Sequence, residues 1–241
     1  MNLSGNKILI TGGASGIGLG LSELFYKEKN QVIVCGRRPD VLKAAADKLP
    51  GLITRVCDLA DEKDRENLYH WIAAEHPDLD TLINNAGIQN WMSISDARFY
   101  ENTKAEIETN ITAPLHLVSL FTRLNSLRTI INVTSGLSFV PFAKAPVYSA
   151  TKAFLRSFTM TLRYSLKDKN IEVIELIPPA LNTDLGGKGL HDHAPPVSEF
   201  IATVHKKLGE GADEIAFGHS ELRLNAVPEE WKGVFKQLNP G

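Results

Sequence analysis

The stretch Lys7-Ile8-Leu9-Ile10-Thr11-Gly12-Gly13-Ala14-Ser15-Gly16-Ile17-Gly18 decides the fold of this chain. Lys7 to Ile10 has the length and apolar content of a short buried strand. Glycines follow where the chain must turn, and Leu19 to Lys29 shows helical periodicity through Leu21, Leu24 and Phe25. Gln31 to Cys35 is again β-branched and apolar, which reads as a second strand. A strand, a tight turn, a helix and a strand of these lengths make a βαβ unit, the connection that joins parallel neighbours.

Outward from this unit the alternation continues. Asp40 to Leu49 reads as helix, Leu52 to Val56 as strand, and Asp61 to Glu75 as a helix with a charged outer face. Thr81 to Ile83 and Thr129 to Val133 read as strands on either side of one long helix, Lys104 to Leu124. Val147 to Leu166 is helical and Glu172 to Ile177 a strand. After a helix near Val204, Glu214 to Phe217 offers a last strand and Pro228 to Lys236 a terminal helix. Such regular alternation implies an α/β fold, a doubly wound parallel sheet with helices on both faces. Neither a repeat nor an interdomain linker interrupts residues 1–241, so a single domain is expected.

The totals narrow the function classes. The chain has 241 residues, 43% hydrophobic and 22% charged, as in soluble globular proteins. A net charge of −2 offers nothing to attract nucleic acid or an acidic membrane surface. No apolar segment approaches the length of a membrane span, and Met1 to Asn6 is polar, unlike a secretory signal. A cytoplasmic protein is expected. Cys35 and Cys57 lie in apolar runs and read as buried thiols.

One segment breaks the rhythm. Pro178 to Ser198, rich in Pro, Gly and His, separates the sixth strand from the next helix. In a doubly wound sheet it lies beyond the strand carboxyl ends, where ligands bind. It reads as a substrate lid over about residues 178–200, with a disordered connection as the plain alternative.

Several motifs sit at strand ends. In Gly12-Gly13-Ala14-Ser15-Gly16-Ile17-Gly18 the glycines allow a tight turn and close approach of a phosphate to backbone amides. The following helix adds its positive end for a pyrophosphate. The spacing is not GxGxxG, so it is the strand–turn–helix context that points to a dinucleotide. After the second strand come Gly36, Arg37 and Arg38, where an acidic residue would bind a ribose 2′-hydroxyl. Guanidinium groups there favour a 2′-phosphate and hence NADP(H), although both arginines also fit a solvated surface. Asp58 is placed to meet an adenine amino group and Leu59 to pack on the ring. Asn84-Asn85-Ala86-Gly87 follows the fourth strand, where small and amide residues can line a ligand crevice. Asn110 falls inside the long helix, where a buried Asn needs partners or a kink.

Thr134-Ser135-Gly136 closes the fifth strand, and Ser135 could polarise a carbonyl oxygen or simply cap a turn. No Gly-x-Ser-x-Gly elbow surrounds it, which argues against a hydrolase nucleophile. Tyr148 and Lys152 stand four residues apart, on one face of a helix. An ammonium beside a phenol favours the phenolate and readies it for proton transfer.

Together, Thr11–Gly18, Asn84–Gly87, Asn110, Ser135 and Tyr148-x-x-x-Lys152 resemble the single-domain branch of the short-chain dehydrogenase/reductase family over roughly residues 5 to 185. The resemblance implies a seven-stranded Rossmann-type sheet and a nicotinamide cofactor, which Arg37 and Arg38 would make NADP(H), and the expected reaction is hydride transfer with a small carbonyl or alcohol substrate. It implies Tyr148 as proton donor or acceptor and Ser135 as holder of the reacting oxygen. Lys152 would lower the Tyr148 pKa and bind the nicotinamide ribose, and Asn110 would anchor a water in a proton relay. By the same resemblance Gly12, Ala14, Ser15, Gly16, Ile17, Gly18, Asn85, Ala86 and Gly87 line the cofactor, with Pro178, Leu181 and Thr183 reaching it from the lid. A homodimer or homotetramer packed through the helices at Lys104 and Val147 is implied as well. Asn85-Ala86-Gly87-Ile88-Gln89, Ser135-Gly136-Leu137 and the Pro178–Leu185 run are similar to the DltE-type bacterial oxidoreductases, a likeness that names no substrate. One departure is Pro179, where the family has Gly; proline lacks an amide donor and fixes φ, which stiffens the path into the lid.

His191-Asp192-His193 has a metal-like look but lacks a third histidine or cysteine, and no metal is expected. Trp91, Met92, Phe139, Val140, Pro141 and Phe142 fit substrate walls, core or a subunit contact. Two rival functions stand beside an oxidoreductase. A catalytically weak dinucleotide-binding sensor or scaffold would have no chemical need for the Asn110, Ser135, Tyr148, Lys152 set. An extended-branch epimerase or dehydratase would need a larger carboxyl-terminal substrate domain.

Overall fold

Runs of Ile, Leu and Val supply the strands β1 (Lys7–Thr11), β2 (Gln31–Gly36), β3 (Ile53–Val56), β4 (Thr81–Asn84), β5 (Thr129–Val133), β6 (Glu172–Ile177) and β7 (Glu214–Ala216). The computed structural model, which describes residues 1–240, joins them in one sheet ordered β3-β2-β1-β4-β5-β6-β7. Every strand pair is parallel. The order reverses between β1 and β4, and a crevice opens beyond the carboxyl ends at that switch point.

The helices are α1 (Gly16–Lys27), α2 (Pro39–Lys48), α3 (Glu62–Glu75), α4 (Phe99–Ile107), α5 (Ala113–Phe121), α6 (Pro146–Ser165), α7 (Val197–Gly209), α8 (His219–Asn225) and α9 (Pro228–Leu238). Strand residues alternate between two cores. Ile8, Ile10, Val34 and Ile131 face Leu21, Phe25, Phe200 and Val204 from α1 and α7. Leu9, Ile33, Leu82 and Ile130 face Leu68, Ile72, Phe121 and Leu162 from α3, α5 and α6. Each such side chain contributes about 1.5–3 kcal/mol when fully buried, so both helix layers are held firmly. Cys35 and Cys57 are buried free thiols, as their apolar surroundings imply. No helix of the described residues is long and apolar enough to cross a membrane.

Two segments differ from the sequence pattern. The helix expected at Lys104–Leu124 begins at Phe99, opens into a π-turn at Glu108–Thr112, and resumes as α5 to Phe121. Pro114 explains the break: it has no amide for the Asn110 carbonyl four residues back, and its ring crowds that carbonyl. α8 was not anticipated, because seven mostly polar residues carry little periodicity. Residues 178–196 form turns without helix or strand, folded back where the Asn182 amide donates to the Pro195 carbonyl at 2.9 Å.

Candidate active site

The glycine turn is fastened to the end of β4. Thr11 Oγ1 accepts from the amides of Asn85 (2.9 Å) and Ala86 (3.0 Å), and Asn85 Nδ2 donates to the Thr11 carbonyl at 2.8 Å. A Cβ at Gly18 would collide with the Gly12 carbonyl and Asn85 Nδ2, and one at Gly13 with the Val34 side chain. Gly12 (φ 64°) and Gly16 (φ 52°) hold left-handed conformations. Ser15 is the N-cap of α1, yet its hydroxyl makes no cap bond and the first turn carries no acidic residue. The first amides and the positive end of α1 therefore stay open to an anion.

Residues around this cradle fit a dinucleotide phosphate. Arg37 and Arg38 are exposed beyond β2 and pair with no carboxylate among the described residues, and Arg38 Nη2 lies 3.5 Å from Ser15 Oγ. Asp58 accepts from the Ala60 amide through Oδ1 (3.0 Å). Leu59 is largely buried, its carbonyl taken by Arg65 Nη1 at 2.6 Å, so little of its side chain faces a ligand. From the lid, Thr183 Cγ2 comes within 3.3 Å of where a Gly16 Cβ would be, and Leu181 is buried nearby in the same core as α1. Pro178 accepts from the Gly136 amide through its carbonyl (3.0 Å), tying the start of the lid to the residue after Ser135.

Three elements bring the chemical groups together. Ser135, at the end of β5, is 7% exposed, and its Oγ accepts from the Leu137 amide at 3.1 Å. It therefore caps a turn while keeping its hydroxyl proton to donate. Tyr148 and Lys152, from the first turns of α6, are buried at 6% and 4% exposure. Lys152 Nζ donates to the Val133 carbonyl (2.8 Å) and lies 5.6 Å from the Tyr148 ring centroid. Asn110, in the π-turn, accepts from the Ile88 amide (2.9 Å) and donates to the Ile88 carbonyl (2.8 Å) and Thr151 Oγ1 (3.1 Å). Gly87 is where these meet: a Cβ there would come 3.3 Å from Asn110 Oδ1 and 3.6 Å from Lys152 Nζ.

The electrostatics differ from the sequence expectation. Burial pushes the Tyr148 phenol well above its ordinary pKa; the Ser135 side chain, hydrogen-bonding to it, pulls it back in part, and the Glu106 charge raises it further. Lys152 does not hold the phenol down here. Its ammonium is directed to Val133, and burial lowers its own pKa to about 8.

Glu106 is a site residue that sequence reading missed. On the linear chain it is one more charge on a helix, one turn before Asn110. In the fold it is fully buried; one carboxylate oxygen accepts from the Asn90 amide and the other, Oε2, has no partner. Burial raises its pKa to about 7, against the lowering bonds from Asn90.

The apolar segments divide. Met92 and Val140 are core, whereas Trp91, 40% exposed, meets Phe142 edge-on at 5.4 Å. Phe139, Val140 and Pro141 form one side of a cleft of about 400 Å³ closed by Trp231 and Phe235 of α9. In the lid, Trp91 Nε1 abuts Gly186, whose absent Cβ would be 3.0 Å away. The group of His, Cys, Asp and Glu side chains gathered at metal-like distances among the described residues is Glu62, Glu66 and His116, on the outer surface rather than in the His191-Asp192-His193 run.

Comparison with known proteins agrees with this geometry. The family model described as short chain dehydrogenase matches residues 6–193. The chain is 40% identical to an uncharacterized oxidoreductase DltE of Bacillus subtilis, covering 99% of this chain and 98% of that one. It is 32% identical to a serine 3-dehydrogenase of Agrobacterium fabrum, covering 73% of this chain and 72% of that one. A solved short chain dehydrogenase from Burkholderia cenocepacia, in complex with NADP, superposes with a TM-score of 0.85 at 25% identity, covering 99% of both chains. A seven-stranded parallel sheet, a glycine cradle at its switch point and a Ser–Tyr–Lys cluster beside it thus accompany a full-length sequence match, and the chain belongs to the short-chain dehydrogenase/reductase family of oxidoreductases.

Proposed function

We propose that this protein is an NADP(H)-dependent oxidoreductase that interconverts a carbonyl compound and an alcohol, with Tyr148 passing the proton. The observation that carries this reading is the convergence of Asn110, Ser135, Tyr148 and Lys152, all buried, at the carboxyl edge of the sheet. When bound, NADP(H) supplies the hydride to the carbon, or takes it away. The amides of Gly12–Gly18 and the start of α1 would hold the pyrophosphate, Arg37 and Arg38 the 2′-phosphate, and Asp58 the adenine amino group. Asn85, Ala86 and Gly87 would line the crevice floor, and Pro178, Leu181 and Thr183 its lid side.

Ser135 donates its hydroxyl proton to the substrate oxygen and fixes its position. Tyr148, held protonated by burial, gives its proton as that oxygen gains charge; an alkoxide is a stronger base than a phenolate, so the transfer runs downhill. Lys152, mostly charged at neutral pH, binds the ribose, and Asn110 anchors the route by which a new proton reaches Tyr148. Exposed apolar side chains Ile107 on α4 and Phe154, Met160 and Tyr164 on α6 support a homodimer or homotetramer through these helices, which light scattering would test.

The test is Tyr148→Phe. Across a panel of aldehydes, ketones, sugars and hydroxy acids, NADPH-linked turnover should fall by about 10²–10⁴-fold. Turnover near wild type in the variant, or no turnover by the wild type on any member, contradicts the reading.

A further inference from the structure

Four arginines are buried or half-buried: Arg65, Arg156, Arg163 and Arg223. Three of them are fully engaged. Arg65 bonds His116, the Leu59 carbonyl and Glu108; Arg156 bonds Glu175 and Glu214; Arg163 bonds the Val173 carbonyl and Asp213. Arg223 makes no side-chain hydrogen bond or ion pair among the described residues. A guanidinium carries five donors, and those of Arg223 face solvent rather than any protein acceptor among the described residues. Burial lowers the Arg223 pKa with no carboxylate to offset it.

Arg223 is also placed beside the chemistry. It lies on α8, which packs against the turn at Gly136–Ser138 that directly follows Ser135. Gly136 is what permits the approach: a Cβ there would collide with Ser220 Oγ and come within 3.1 Å of Arg223 Nη1. Ser220, one turn before Arg223, is fully buried, and its hydroxyl has no hydrogen-bond partner. Two unspent donors from independent side chains therefore converge on the residue next to Ser135. Consecutive Cα atoms are about 3.8 Å apart, so an anion held here sits within a short acid's reach of the oxygen on Ser135.

We propose that Arg223, assisted by the Ser220 hydroxyl, is a subsite for a substrate carboxylate, so that the carbonyl compound or alcohol is a short oxo or hydroxy acid. Guanidinium and carboxylate match in a two-bond fork, which would fix both the acid and the reacting carbon relative to Ser135. This inference rests on the oxidoreductase reading only for the identity of the reacting group; the anion site itself does not.

Two measurements separate them. First, kcat/KM is compared for acetoacetate and acetoacetamide, and for 3-hydroxybutyrate and its amide, in wild type, Arg223→Ala and Arg223→Lys. The acid-to-amide ratio should favour the acid in wild type, drop by roughly 10- to 100-fold in Arg223→Ala, and recover in part in Arg223→Lys. Second, acetoacetate, malonate and inorganic phosphate are titrated calorimetrically into Tyr148→Phe and Tyr148→Phe/Arg223→Ala. A carboxylate should bind the first protein about tenfold or more tighter than the second. No carboxylate binding, an affinity that Arg223→Ala leaves unchanged, tighter binding of phosphate than of either acid, or an equal ratio for acid and amide overturns the proposal. Arg223-dependent binding without turnover of any acid or amide would leave the subsite standing and remove the oxidoreductase reading instead.

Discussion

Around the β1–α1 turn the groups placed for chemistry are backbone amides, whereas around β5 and α6 they are side chains. At the first, glycine is required because a Cβ at position 13 or 18 would strike Val34, or the Gly12 carbonyl and Asn85. The amides are exposed by what is missing. At the second, Ser135, Tyr148, Lys152 and Asn110 are buried and each is held by a named bond or by packing. The contrast teaches that one region can tolerate exposure because its donors are fixed by the main chain, while the other depends on burial to fix rotamers and to set pKa values.

That difference can be broken first on the side-chain half. Glu175 is fully buried between Thr134, whose Oγ1 donates to it at 2.6 Å, and Arg156, 2.6 Å from its other oxygen. Glu175→Ala strips the Thr134 hydroxyl of its acceptor and leaves Arg156 with Glu214 as its one carboxylate, and should cost about 1–3 kcal/mol of stability by chemical denaturation. A loss below 1 kcal/mol would mean this network does not hold the side-chain half in place.

On the backbone half the effects should be smaller. Arg37→Ala should weaken NADPH binding several-fold to about tenfold, with NADH hardly changed, because exposed charge-assisted bonds are partly screened. Fluorescence titration checks this, and equal affinities of the wild type for NADPH and NADH would remove the basis for assigning a 2′-phosphate to these arginines.

The smallest effect concerns Glu106. Ionised, it raises the Tyr148 phenol; Glu106→Gln removes that charge while keeping an acceptor for Asn90. The phenolate then forms more readily, so the acid limb of the alcohol-oxidation profile should move to lower pH, by about one unit at most. The same residue sets a stability trend. Its pKa is about 7 in the fold against 4.5 for an ordinary Glu, so the folded state holds an extra proton between these values. Wild type should lose stability relative to Glu106→Gln as pH rises through that window, and parallel thermal midpoints in the two proteins would contradict it.

The two regions were not equally legible in the sequence. The sheet and the glycine cradle follow from local patterns: apolar runs of strand length, glycines between strand and helix, and Leu21, Leu24 and Phe25 at helical spacing. Asn110 was recognisable as a residue needing a kink, and Pro114 four positions on is the local cause of it. What remained hidden depends on distant packing. Glu106 looks solvated until the Asn90 amide is laid over it, and Arg223 looks like surface until Gly136 lets α8 come close. The sign of the Tyr148 shift was misread for the same reason: the four-residue spacing to Lys152 is local, whereas the burial that outweighs it comes from the whole fold.

The central claim is that the main-chain half supplies most of the cofactor affinity, whereas Tyr148 and Ser135 of the side-chain half serve the chemistry and Lys152 is the member of that half that reaches the ribose. The direct test is NADPH affinity, by fluorescence titration, in the Tyr148→Phe/Ser135→Ala double variant. The account predicts a dissociation constant close to that of wild type in a protein whose turnover is lost. A tenfold or greater loss of NADPH affinity would contradict it.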